Sequence, residues 1–123
     1  MQRNTRQRGA IRRAFQRAAR PLSPSEVHAL ARQDVAGLGV ATVYRSIRRL
    51  LDEGWLVTVM LPGESSRYEI AGQPHHHHFR CERCHRVFDI PCGGPGAVDD
   101  APQGFTVHQH DVVLLGTCPD CDG

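Results

Sequence analysis

Apolar positions in the first sixty residues recur with a helical period, and after that with the period of two that belongs to strands. Across residues 5 to 19, Ile11, Phe15 and Ala18 share one face of a stretch rich in helix formers, predicting a helix that Pro21 stops. Ser23-Pro24-Ser25-Glu26 then supplies a complete helix start: Ser as cap, Pro in the first turn and Glu closing a capping box. The helix it opens is expected to turn Val27, Leu30 and Ala31 inward. A third helix is predicted from Val40 to about Glu53, closed by Gly54, with Val40, Val43, Ile47, Leu50 and Leu51 facing the core. Two β-rich runs follow, Trp55–Met60 and Arg67–Ile70, around a turn at Leu61–Ser66 that contains Pro62-Gly63; together they read as a hairpin.

Three helices and a hairpin are the element order of a winged helix-turn-helix. Ala71-Gly72-Gln73-Pro74 reads as a linker. Beyond it, short strands are expected at His77–Arg80, Val87–Ile90, Phe105–His108 and Asp111–Leu115. The stretch from Pro91 to Gln103 is rich in Gly and Pro and carries little helical pattern. The expectation is an α+β chain: a winged-helix domain at 1–70, a hinge at 71–74, and at 75–123 a small α/β or mostly β dimerisation domain.

Charge sharpens this division. The basic residues are all Arg, fifteen of them, and the net charge is only +2. Residues 1–60 hold eleven Arg against four acids, for +7, whereas residues 61–123 hold four Arg against nine acids, for −5. A basic half suits a polyanion and an acidic half suits something cationic. The longest apolar run, around Val112–Leu115, is far short of the ~20 residues that span a bilayer, and the first eight residues lack the apolar segment of a secretory signal. A cytoplasmic protein with no membrane partner is therefore expected.

The third helix carries the first chemical signal. Ala41, Tyr44, Arg45 and Arg48 share the face opposite the apolar one, with Arg49 beside it. Such a face suits the major groove of double-stranded DNA, because Arg forks onto guanine and Ala or Tyr touches a thymine methyl. Arg3, Arg6, Arg8, Arg12 and Arg13 would add phosphate contacts, which position without specifying. The alternative is a solvated helix face in an Arg-biased sequence.

Cysteine carries the second. All five lie in the last 43 residues, as Cys81-x-x-Cys84, a lone Cys92 and Cys118-x-x-Cys121. In a reducing compartment two CxxC pairs point to a metal site, and four thiolates make a closed structural zinc site. A small, Gly-rich domain with few large apolar residues needs such a staple. Cys92 has no CxxC partner and reads as a small thiol.

The run His75-His76-His77-His78 is the third signal. On a strand, His76 and His78 point to one side, and His75 and His77 to the other. Two imidazoles at i, i+2 are half of a metal site, which the carboxylates of Glu69 and Asp89 could complete.

Taken together, the residues resemble the ferric-uptake-regulator superfamily of bacterial metal-sensing repressors over nearly the whole chain. The most specific stretches are Gly39-Val40-Ala41-Thr42-Val43-Tyr44-Arg45, Tyr68-Glu69-Ile70 and His75 through Cys84, and the ending Gly116-Thr117-Cys118-Pro119-Asp120-Cys121 resembles the zinc-uptake-regulator branch. The resemblance implies base contacts by Tyr44 and Arg45, with Thr42 on the same helix. It implies structural zinc on Cys81, Cys84, Cys118 and Cys121, and a regulatory ion on Glu69, His76 and His78, joined by Asp89. A further metal position would use His75, His77 and His110. Three departures stand out. The position that often supplies a His just before the second helix is Pro21; the Pro91–Pro102 stretch is too broken for the family's long dimerisation helix; and the further position lacks its usual acid, for which Asp99 or Asp100 could serve.

The function expected is a metal-dependent repressor, not an enzyme, that binds a pseudo-palindromic operator as a homodimer and takes no small-molecule substrate. Besides structural zinc it would hold a second divalent metal, with Zn²⁺ favoured over Fe²⁺ or Mn²⁺. Iron, manganese or peroxide response is the alternative within the family. A zinc-ribbon module that recruits protein or RNA is the alternative outside it. No HExxH or nucleophile–base signature supports catalysis.

Overall fold

The computed structural model describes residues 2–92, 101–108 and 110–122. They divide into two compact units, Met1–Gly72 and Gln73–Gly123.

The first unit opens with helix α1 (Gln2–Ala18), which starts three residues before the expected Thr5. Its inward stripe is Gln7, Ala10, Ile11, Ala14 and Phe15, one side of a 3.6-residue repeat. Ala19, at φ 52°, ends the helix with its N–H on the Phe15 carbonyl. Helix α2 (Pro24–Ala31) has the expected capping box: Ser23 Oγ accepts from the Glu26 N–H, and Glu26 accepts from the Ser23 N–H. Helix α3 (Val40–Asp52) buries Val43, Ser46, Ile47 and Leu50. Two positions expected inside are not. Val40 is 53% exposed and Leu30 36%, because Val40 is the first residue of its helix and Leu30 lies in the last turn of a short one, both at the rim of the core.

Gly54, at φ 79°, reverses the chain after α3. Strands β1 (Leu56–Val59) and β2 (Arg67–Ile70) then pair antiparallel, Leu56 opposite Ile70 and Val59 opposite Arg67. Leu22, between α1 and α2, exchanges two backbone hydrogen bonds with Tyr68 at 2.8 and 2.9 Å, tying the interhelical turn to this hairpin. One apolar cluster running from Ala10 to Leu56 holds the unit together, with Trp55 edge-on to Phe15 at 6.2 Å. This is the three-helix-plus-wing order expected from sequence.

The second unit is a three-stranded sheet ordered β4-β3-β5. Strand β3 (His76–Cys81) is central, β4 (Val87–Pro91) is antiparallel to it, and β5 (Val113–Gly116) is parallel. The expected strand at Phe105–His108 does not form. Both edges of β3 are taken by β4 and β5, and Phe105, 71% exposed, and Val107, 45% exposed, find no ladder among the described residues. Strand propensity alone does not make a strand; a ladder to a partner does. β5 likewise begins later than the expected Asp111. Within the expected broken dimerisation segment, residues 93–100 lie outside the described residues. Among the described residues no helix is long and apolar enough to cross a membrane.

Candidate metal centres and DNA-facing helix

Burying Val43, Ile47 and Leu50 turns the opposite side of α3 outward. Ala41, Arg45, Arg48 and Arg49 are exposed, Tyr44 is 57% exposed, and Thr42 is half-buried. Arg45 donates from Nη2 to Thr42 Oγ1 at 3.2 Å, which lays the guanidinium along the first turns of the helix. Of the expected phosphate-binding arginines, Arg6 and Arg8 are exposed. Arg12 pairs with Glu53 at 3.5 Å and lies over the Trp55 ring, and Arg13 pairs with Asp34 at 3.1 Å. Exposed pairs of this kind are worth at most about 1 kcal/mol, so a phosphate can displace them. The side chain of Arg3 lies outside the described residues.

In the second unit the two cysteine pairs meet. The tight turn from Cys81 to His85 presents one pair, and the segment after β5 presents the other. Cys81 and Gly116 are register partners, so β5 delivers Cys118 to the end of β3. The four sulfurs lie within 4.8 Å of one another, with Cys84 and Cys118 Sγ 3.8 Å apart. A Zn–S bond of about 2.3 Å in a tetrahedron requires an S···S edge of about 3.8 Å. The N–H groups of Cys84 and Cys118 donate to Cys81 Sγ at 3.5 and 3.4 Å. Chiefly through the Cys84 N–H, and against the effect of burial, these donors pull the Cys81 thiol down to about 5. For Cys84, burial opposes ionisation, but the hydrogen bonds from the Arg86 side chain, its Nε–H at 3.1 Å, and from the Arg86 backbone, with one from Cys118, together outweigh it and the thiol is lowered. Cys121 is pushed up to about 12 by its hydrogen bond to Cys118 and by burial. Sulfurs this close cannot all ionise unless a cation sits among them, and the donor set fits zinc.

His76 and His78 point to one side of β3, and Asp89 is the register partner of His78 on β4. Cross-strand partners share a face. Asp89 Oδ1 accordingly lies 3.3 Å from Nε2 of each imidazole. His76 Nδ1 is 2.8 Å from the Pro74 carbonyl, an acceptor only, so this nitrogen carries the proton. In neutral His76, then, the Nε2 lone pair faces a carboxylate oxygen. That arrangement repels unless a proton or a metal ion stands between, and a carbonyl-anchored imidazole is how metal-binding histidines are usually oriented. Glu69 is on β2 in the first unit and is 4% exposed. Pro21, also buried, has no ligand atom to offer.

The other face of β3 gathers His75, His77 and His110. Nε2 of His110 is 3.2 Å from Nε2 of His75 and 3.1 Å from Nε2 of His77. The Val112 N–H donates to His77 Nδ1 at 3.2 Å, and Asp111 lies 3.9 Å from the same atom. Asp99 and Asp100 lie outside the described residues. Cys92, read from sequence as a lone thiol, sits 3.7 Å from His110 Nε2 and within 4.8 Å of all three imidazoles. The missed signal was register. The ladder pairs His76 with Pro91 and His77 with Ile90, and one further step puts Cys92 opposite His75. Arg86 was also missed, because nothing in its spacing shows that it bridges Cys84, Cys118 and Asp120.

Comparison with known proteins accounts for this combination. Ferric uptake regulation protein 2 of Mycolicibacterium fortuitum is 30% identical over 123 residues, spanning 95% of this chain and 84% of that protein. The ferric uptake regulation protein of Campylobacter jejuni is 36% identical over 89 residues, 69% of this chain but only 56% of that protein's length. Among solved structures, a zinc-bound manganese uptake regulator superposes with a TM-score of 0.81 at 23% identity, covering 91% of this chain and 87% of that one; at that identity it establishes the fold. The sequence profile of the ferric uptake regulator family runs from residue 2 through the helices, the wing and the histidine strand to residue 114, and the chain belongs to that family.

Proposed function

We propose that this chain is a metal-dependent transcriptional repressor, acting in the cytoplasm as a homodimer on a pseudo-palindromic DNA operator and controlling genes of zinc homeostasis. The observation that carries the reading is the convergence of His76, His78 and Asp89, with His76 already anchored through its other nitrogen. The basic first unit supplies the DNA side: Tyr44 and Arg45 read base edges from α3, helped by Ala41, Thr42 and Arg48, while Arg12 and Arg13 hold phosphates.

Glu69 stands seven positions before His76, across the hinge. As a fourth ligand it would make the ion a bridge that favours one relative orientation of the two units. The ion then shifts the population towards DNA-competent molecules by its differential affinity for that orientation. Reciprocity requires operator DNA to tighten the ion by the same factor, on the order of 5–150-fold. Zinc at the four cysteines is a structural ion whose binding free energy is folding free energy. Imidazole and carboxylate ligands also admit Fe²⁺ and Mn²⁺ at the bridging site.

The test is operator binding by the wild-type protein and by His76→Ala, with each metal held at a fixed free concentration. His76→Ala should remain dimeric and keep its four-cysteine zinc, yet lose metal-dependent binding. Full activation of that variant would sink the bridging site. A wild-type protein that takes one tight zinc, and no second ion that alters DNA affinity, would instead be a zinc-ribbon module.

A further inference from the structure

We propose that Cys92 supplies the missing fourth ligand of the further metal position on His75, His77 and His110, making it a three-histidine, one-thiolate site that takes a borderline-soft divalent ion such as zinc. The β3–β4 register brings Cys92 and His75 together at the end of the ladder, with His77 on the same face two residues along. His110 closes the group from the segment before β5, with its Nε2 3.1–3.7 Å from the other three ligand atoms. Metal–nitrogen bonds of about 2.05 Å and a metal–sulfur bond of about 2.3 Å give tetrahedral edges of about 3.4 Å for N···N and about 3.6 Å for N···S. The observed separations of 3.1, 3.2 and 3.7 Å are already near those values.

Hydrogen-bond accounting supports a cation there. His110 Nε2 has either one proton or one in-plane lone pair, yet it faces the Nε2 atoms of both His75 and His77. Its single proton or lone pair is therefore shared in a bifurcated contact, whereas a metal ion would take one lone pair from each imidazole. His77 is 4% exposed, so its Nε2 meets His110 with little access to water. The thiolate sets the ligand class. A carboxylate at this place would accept hard ions, whereas sulfur with imidazole selects zinc over manganese and ferrous iron by softness. The site shares no residue with the His76, His78 and Asp89 group.

The test is made on the full chain without DNA, so its outcome is independent of the repressor reading. The four-cysteine site is filled with zinc and its retention is monitored while cobalt(II) is added. The His76, His78 and Asp89 group contains no sulfur, so near-ultraviolet sulfur-to-cobalt charge transfer reports on Cys92 alone. Wild type should show that band, with the intense visible absorption of four-coordinate cobalt. Cys92→Ser should lose the band and bind that equivalent at least about tenfold more weakly, the scale on which even outer ligand changes act. Cys92→Asp should keep the equivalent, show no charge transfer and shift its preference towards manganese. Absence of the band in wild type, or an unchanged band and affinity in Cys92→Ser, would overturn the assignment.

Discussion

Arg86 reaches four groups at once. It donates to Cys84 Sγ at 3.1 Å and Cys118 Sγ at 3.6 Å, pairs with Asp120 at 3.2 Å, and lies over the Phe88 ring at 5.6 Å. Zinc with four thiolates carries a net charge of about −2, and the guanidinium offsets part of it while fixing two ligands in place. Replacing it should leave zinc stoichiometry intact and speed zinc loss to a chelator by about 10–100-fold in Arg86→Ala. Arg86→Lys should fall between, since one ammonium cannot span both sulfurs. Release rates measured with a colorimetric chelator decide this. On α3 the prediction concerns readout. Tyr44→Ala and Arg45→Ala should each cost about 1–3 kcal/mol on a specific operator. Arg12→Ala should weaken all DNA alike and lower the salt slope by about one contact. Competition against random duplex separates the two, and equal losses on both duplexes for Arg45→Ala would show that it reads no bases.

The segments written in purely local terms were the legible ones. Ser23 and Glu26 announce α2 because a capping box needs only four neighbouring residues, and both of its hydrogen bonds form. Ser23→Ala should therefore lower stability by about 1 kcal/mol, read as a lower thermal midpoint with the fold unchanged. Pairing is not local, and there the reading thinned. Phe105–His108 alternates as a strand should, yet an edge to pair with is a property of the sheet. Cys92 looked solitary because its neighbours are set by a register fixed at the other end of the hairpin, where Cys81 to His85 forms the turn. Val40 and Leu30 matched the apolar pattern but lie where their helices run past the core. For the site, the residue types and face alternation of His75 to His78 were readable from a period of two. The partners across the sheet were readable only in part, through Asp89. Tight packing brings its own constraint: a Cβ at Gly116 would meet the Phe79 ring at 3.1 Å. Gly116→Ala should cost about 1 kcal/mol or more unless that ring gives way, as chemical denaturation would show.

At the scale of the molecule, the charge division seen in the sequence separates a basic part from an acidic part rich in histidine and cysteine, and acid should act on the second. Burial, with the neighbouring His110 and His75, holds His77 below its ordinary 6.5. The folded state thus binds this proton less readily than the unfolded one, and its contribution to stability is complete above about pH 6.5 and lost as pH falls below it. With zinc kept on the four cysteines and the histidine sites empty, the second unit should become easier to unfold with denaturant as pH drops through that window. Added metal should compete with the proton and move the loss to lower pH.

The parallel pairing of β5 with β3 also has a consequence in time. Cys118 follows Cys81 by 37 residues. At 5–20 residues per second, a ribosome adds that stretch in roughly 2–7 s. For most of this interval, once Pro91 has been added and until Val113 is, the nascent chain carries the β3–β4 segment and one CxxC pair but neither β5 nor the second pair. Two thiolates hold zinc far less tightly than four, so the ion that staples the domain is captured firmly only after β5 is made. The winged helix, whose core from Ala10 to Leu56 needs nothing downstream of the hinge, has by then had every residue it requires.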